Sequence, residues 1–269
     1  VFASPHSGCD YPEWFIRRSL LNEHTIRSSE DAYVDHLFAD APKYGAPFLV
    51  ARAPRALLDL NRAAEELDPA LIQGVRKVGH NPRVASGLGV IPRVVANGRA
   101  IYHRKMTRAE ADARIETYWR PYHATLKALL EAAREKFGEA ILVDCHSMPR
   151  EAVESATRRG VPRPEIVLGD RFGAAADVEL VDQIEAAFVK AGFVVSRNTP
   201  FAGAYVTQHY GRPLKAQHAV QIEIDRSLYM DEVSIQPNSE FDSFRERLTQ
   251  VVAQIARLGQ PEANSLAAE

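Results

Sequence analysis

Two histidines sit in matching settings. His6 and His146 each close a short apolar run and are each followed by serine, in Pro5-His6-Ser7-Gly8 and Asp144-Cys145-His146-Ser147. An Asn61-Arg62 pair follows a third apolar run, and Glu223 lies inside a fourth, Val220-Gln221-Ile222-Glu223-Ile224. A lone histidine is usually structural, but two in one kind of context point to a metal. Imidazole suits zinc, and a hydrolytic zinc site takes three protein ligands and a water. A carboxylate is the common third ligand beside two histidines. Such a metal brings the pKa of its water towards ~7 and polarises a carbonyl. A nearby carboxylate then carries the proton to the leaving nitrogen. Glu223 is a further candidate site residue, because an ionised carboxylate in an apolar strand is costly unless partnered and such groups gather at active sites.

These residues need a scaffold that brings strand ends together. Apolar runs at 1–4, 48–51, 56–60, 140–144, 166–168, 193–196 and 219–224 read as strands, most of them continuous and so covered on both faces. Helical stretches alternate with them. Ser28 or Ser29 is expected to cap a helix to about Pro42. Thr107 and Glu110 form a capping box for a helix reaching about Phe137, with a kink at Pro121. A helix over 177–191 ends at Gly192, and another covers 241–258. Between Glu65 and His103 the periodicity fails, which marks a functional loop. The expected class is α/β, a single domain over 1–258 with a central mixed, mostly parallel sheet and helices on both faces, followed by a polar tail at 259–269. Ligands of such sheets sit at the carboxyl ends of strands, where the residues above lie.

Composition removes other classes. The 269 residues carry a formal net charge of -2, and no basic block exceeds Arg17-Arg18 or Arg158-Arg159, so nucleic acid is not an expected partner. No apolar run approaches the roughly 18 residues of a membrane helix. Two cysteines, Cys9 and Cys145, make no disulfide framework and fit a reducing, cytoplasmic compartment. No signal peptide is seen, and a start at Val1 rather than Met points to residues missing in front.

Six segments, in order, carry a resemblance: PHSG at 5–8, DLNR at 59–62, YWRPYH at 118–123, VDCHS at 143–147, GAYVTQHYGRP at 203–213, and HAVQIEI with LYMDE at 218–232. Together they resemble the N-formylglutamate amidohydrolase family, which is similar in fold to zinc carboxypeptidases and aspartoacylases. The resemblance spans nearly the whole chain. It implies hydrolysis of N-formyl-L-glutamate to formate and L-glutamate, a step of histidine breakdown, with one zinc ion (Zn2+) per chain.

Under that resemblance His6 and His146 are zinc ligands and Glu223 is the general base. The carboxypeptidase relatives carry an acidic ligand three residues after the first histidine, where this chain has Cys9. The third ligand is therefore sought among Glu30, Asp31 and Asp35. Asp31 is expected, with Asp35, four residues on, as the alternative. Asn61 and Arg62 are expected to hold one substrate carboxylate, since the arginine fork matches a carboxylate. The substrate has two carboxylates, so a second cation is expected: Arg212 first, then Arg55 or Arg93. His123, Tyr205 and His209 are expected to support the site from behind or to close over substrate. The sequence leaves the oligomeric state open, and a set of two histidines and a carboxylate also suits iron or manganese.

Three rivals remain. A zinc enzyme of this fold acting on another N-acyl amino acid differs only in pocket shape. A non-catalytic binder of the same fold conflicts with the presence of His6, His146 and Glu223. A cysteine or serine hydrolase conflicts with the strand geometry, because Cys145 and His146 are neighbours that point to opposite faces, and no GxSxG elbow exists.

Overall fold

The computed structural model of the protein describes residues 1–76, 81–157, 160 and 162–259. Its centre is a six-stranded sheet of β1 (Phe2–Ser4), β2 (Phe48–Val50), β3 (Ala140–Met148), β4 (Ile166–Gly169), β5 (Val195–Arg197) and β6 (Gln217–Asp225), ordered β2-β1-β3-β6-β4-β5. All neighbours are parallel except β4 and β6. This is the mixed, mostly parallel α/β sheet expected from the sequence.

Alternation along β3 and β6 divides the core. Val143 and Cys145 on β3, with Val220, Ile222 and Ile224 on β6, face helices α3 (Val178–Lys190) and α4 (Phe241–Leu258). Leu142 and Ala219 face the other way, onto Leu126 and Leu130 of helix α2 (Arg120–Phe137). That second face turns polar as the strands run on: Asp144 and His146 follow Leu142, and Gln221 and Glu223 follow Ala219. The apolar start of each strand supplies packing and the polar end supplies chemistry. It also sends the Cys145 thiol, fully buried, to the face opposite His146.

Several expected elements differ in the structure. The helix expected from Ser28 to Pro42 is broken. Only Val34–Leu37 is α-helical, and Tyr33 before it is left-handed at φ 66°. The break leaves Asp31 in irregular chain, its N–H donating to the His6 carbonyl at 3.1 Å. The run 56–60 forms no strand. The Leu57 and Leu58 amides donate back to the Pro54 carbonyl in turns, and the Asp59 amide donates to the Val90 carbonyl. Leu57, Leu58 and Leu60 are nevertheless buried, and an apolar run reads the same whether strand or buried turn. The Thr107 hydroxyl caps helix α1 (Arg108–Arg114) by accepting from the Glu110 amide at 3.2 Å. A π-helical turn, Ile115–Trp119, joins α1 to α2 just before Pro121, whose missing N–H disturbs the regular ladder there. The expected tail at 259–269 lies, beyond Gly259, outside the described residues. Among the described residues no helix is long and apolar enough to cross a membrane.

Gly8 fixes the position of the His6 turn. A Cβ there would collide with the Ala53 carbonyl oxygen and lie 2.7 Å from the Arg52 carbonyl carbon. Gly8→Ala must push the turn off this backbone, so a loss of about 1–3 kcal/mol in denaturant unfolding is expected, the usual cost of overpacking. Unchanged stability would show that the contact relaxes freely.

Candidate metal and substrate site

His6, Asp31 and His146 meet at the carboxyl end of the sheet, and their ligand atoms all lie within 4.8 Å of one another. Each comes from a different piece of chain: the turn after β1, the broken helix, and the end of β3. All three are almost completely buried. The two imidazole rings stand edge to face with centroids 4.7 Å apart.

Second partners orient both rings. His6 Nε2 lies 2.7 Å from Asp59 Oδ1, and His146 Nε2 lies 3.0 Å from Asp144 Oδ2. A carboxylate at Nε2 keeps the proton there and leaves Nδ1 as the electron-pair donor, the common arrangement behind metal-bound histidines. Both Nδ1 atoms turn to Asp31 Oδ2, at 3.4 Å for His6 and 2.9 Å for His146. The other Asp31 oxygen accepts from Arg226 Nη2 at 2.9 Å. One carboxylate oxygen is thereby left for the shared centre.

These residues fit a small divalent ion. His6 Nδ1 is buried and makes no hydrogen bond. An ion bound tetrahedrally at about 2.1 Å keeps its ligand atoms roughly 3.4 Å apart, close to the spacings here. Asp35 stands outside this cluster, beside His36.

The charges are strongly coupled. Burial pushes the Asp31 carboxyl up, but the hydrogen bonds and charges of His146 and His6 outweigh it and hold it well below the usual range. Burial pulls His146 down, yet Asp144 and Asp31 raise it well above an ordinary imidazole. Asp59 is held low against burial by His6 and Arg55. Glu223 goes the other way: burial lifts it to about 7, offset only in part by His146. Glu223 is in register with His146 on the neighbouring strand, and Gln221 Nε2 donates to its Oε1 at 2.8 Å. A carboxyl near neutrality can both take and return a proton.

A cavity of about 760 Å³ opens over the cluster, lined among others by His6, Asp31, His146, Glu223, Asn61 and Arg62. Another, of about 1010 Å³, is lined by Glu65–Ala70 and residues of the α1 region, and no residue of the cluster reaches it. Asn61 is fixed on both sides. Its Nδ2 donates to Asp144 Oδ2 at 3.2 Å and lies 3.0 Å from His146 Nε2, while its Oδ1 accepts from the Val206 amide at 2.7 Å. The Arg62 guanidinium is buried, and its Nε has no partner.

The structure corrects the placement of the second cation. Arg212 lies off the cavity, exposed, and its Nη1 donates to the carbonyls of Gln208 and Gly211 at 2.7 and 2.6 Å. The left-handed Ala216 and the Arg212–Gln217 bridge fold this turn back on itself. Arg93 is paired with Asp68 at 2.8 Å. Arg55 does line the cavity, with Nε 3.1 Å from Asp59 Oδ2 and Nη1 3.8 Å from Asp31.

Asp59, Asp144 and Arg226, none of them expected from the sequence, also meet the cluster. Asp59 and Asp144 were within the quoted segments, each two residues from a site residue, but sat in runs read as apolar strands. His123 has a definite place. Its Nε2 lies 2.9 Å from the Leu60 carbonyl, and Trp119 Nε1 donates to the Arg62 carbonyl at 2.9 Å. The two side chains clamp the backbone on either side of Asn61. Burial drives His123 down to about 4, so it stays neutral. Trp119→Phe removes one clamp, and KM is expected to rise about 5-fold with metal content unchanged, the scale of one hydrogen bond. An unchanged KM would show that the turn holds without it.

Comparison with known proteins agrees with this architecture. The family model for N-formylglutamate amidohydrolase matches residues 1–230. The N-formylglutamate deformylase of Pseudomonas putida is 29% identical over 259 residues, covering 93% of this chain and 86% of that protein. The crystal structure of N-formylglutamate amidohydrolase from Ralstonia eutropha JMP134 superposes with a TM-score of 0.89 at 35% identity, covering 96% of this chain and 92% of that one. An Agrobacterium tumefaciens gene product, 18% identical with a TM-score of 0.60, shares the fold alone. Matched along most of its length by sequence and by structure, the chain belongs to the N-formylglutamate amidohydrolase family.

Proposed function

We propose that this protein hydrolyses N-formyl-L-glutamate to formate and L-glutamate, with one zinc ion held by His6, Asp31 and His146. The observation that carries the reading is the convergence of three buried ligand atoms beside a glutamate in strand register with one of them. Zinc in that place supplies an acidified water and a polarised formyl carbonyl.

The chain's own groups do the rest. Glu223 takes a proton from the attacking water as its oxygen bonds to the formyl carbon. It returns that proton to the amide nitrogen as the C–N bond breaks, so formate and the free amine leave. Arg55, positioned over the cluster through Asp59, steadies the charge that builds on the formyl oxygen. Arg62, with Asn61 beside it, receives the α-carboxylate in a buried position that favours a paired guanidinium over a solitary one. The reaction belongs to histidine breakdown in the cytoplasm.

A panel of N-formyl-L-glutamate, N-acetyl-L-glutamate and N-formyl-L-methionine tests the substrate. The highest kcat/KM is expected for N-formyl-L-glutamate. Equal or better turnover of either other compound would contradict the reading.

A further inference from the structure

Five arginines line the cavity: Arg55, Arg62, Arg83, Arg171 and Arg226. They divide into two kinds. Arg55 and Arg226 are engaged with Asp59 and Asp31. Arg62, Arg83 and Arg171 form no ion pair among the described residues. A site that leaves cations unpaired beside a cavity is arranged for an anion, and the proposed substrate brings two carboxylates.

We propose that Arg171 is the residue that selects a carboxylate at the far end of the substrate side chain, an assignment that rests on N-formyl-L-glutamate being the substrate. Arg62 adjoins Asn61, whose amide nitrogen is 3.0 Å from His146 Nε2. It therefore sits by the reacting centre and suits the α-carboxylate, one carbon from the amide nitrogen. Among the described residues no hydrogen bond or ion pair joins Arg171 to the ligand cluster, and it lines the cavity from the loop after β4.

That loop is held in an unusual shape. Arg171 and Phe172 are consecutive left-handed residues, each at φ 57°. Residues with a Cβ adopt this conformation at a cost and keep it where neighbours enforce it. Here Asn198 enforces it. Its Oδ1 accepts from the amides of Asp170 and Phe172 at 3.1 and 3.3 Å, and its Nδ2 donates to Asp170 Oδ1 at 2.6 Å. The Arg171 amide donates to the Ala202 carbonyl at 2.8 Å. The side chain passes against Gly203, where a Cβ would lie 3.3 Å from Arg171 Cγ. Among the described residues the guanidinium makes one long bond, 3.3 Å from Nη1 to the Gly203 carbonyl, which leaves most of its donors open.

The same support reaches the general base. The Ala204 amide donates to Gln221 Oε1 at 3.1 Å, and Gln221 Nε2 donates to Glu223. Arg171 is thus fixed relative to Glu223, as a residue that measures side-chain length and charge must be. Arg83 lacks such a frame: it is exposed, on the single turn Pro82–Ala85.

Arg171→Met and Arg171→Lys, assayed on N-formyl-L-glutamate and on N-formyl-L-glutamine, test this. Glutamine keeps the shape and removes the distal charge. Wild type should favour the glutamate compound, and Arg171→Met should lose about 100-fold in kcat/KM on it while changing little on the glutamine compound, the scale of one charge-assisted hydrogen-bond pair. Arg171→Lys should recover part of the preference. Metal content equal to wild type shows that the variants are folded at the site. A parallel loss on both compounds, or an unchanged preference, overturns the assignment of Arg171 while wild-type turnover of N-formyl-L-glutamate keeps the substrate reading intact. Wild type inert on N-formyl-L-glutamate overturns both.

Discussion

Glu223→Gln should keep its full metal complement and lose about 10³-fold in kcat, with KM for N-formyl-L-glutamate little changed, the scale of one acid–base group. The substitution preserves shape and removes the ability to accept a proton. Gln221 Nε2, which donates to the Glu223 carboxylate, must then meet an amide, whose oxygen can go on accepting that bond while its NH2 turns to the cavity. Glu223 belongs to the strand frame rather than to the ligand set, so metal binding has no reason to fail. Elemental analysis and steady-state formate release on the same sample check both halves. A variant with wild-type kcat would remove Glu223 from the proton path. A variant that loses its metal as well would instead make Glu223 part of the metal centre.

His146→Ala should lose the metal itself. Its Nδ1 is one of the three atoms that could hold a metal, and its Nε2 ties Asp144 and Asn61 to the cluster. Removal deletes a ligand and leaves Asp144, wholly buried, without its imidazole partner. The comparison with Asp144→Asn gives the result its force. That change leaves the ligand in place and disturbs only its orientation, for which a loss of about 10–100-fold in metal affinity is expected. His146→Ala should exceed it clearly. Competition with a chromophoric chelator reads both affinities. Stoichiometric metal retained in His146→Ala would refute its role as a ligand.

Much of the candidate site's placement is legible in the sequence, for a physical reason. Continuous apolar runs mark buried strands, and β3 and β6 carry their polar residues at one end, so His146 and Glu223 announced themselves as groups at strand ends. The same period of two placed Cys145 on the opposite face. Other features depend on chain geometry that has no period. Asp31 reaches the histidines because the expected helix is broken by left-handed Tyr33. A smooth helical pattern in the sequence hides that break. Asp59 looked like the end of a strand, yet it lies in a chain of turns whose leucines are buried as a strand's would be.

The cations were the hardest to assign. Arg212 stands in a segment that resembles the family, but its turn folds the guanidinium back onto its own carbonyls. Arg171 stands in no quoted motif. Its approach to the cavity is set by Asn198, twenty-seven residues further along the chain, and by the left-handed pair that Asn198 stabilises. A long-range support of that kind leaves no local signature.

The buried His6, Asp31 and His146 cluster is proposed to hold the metal on which amide hydrolysis depends. Its most direct test is elemental analysis of the purified protein, paired with formate release from N-formyl-L-glutamate before chelation, after it, and after zinc is restored. One zinc per chain, activity lost with the metal and recovered with it, is the predicted result. Undiminished formate release from protein free of metal would contradict it.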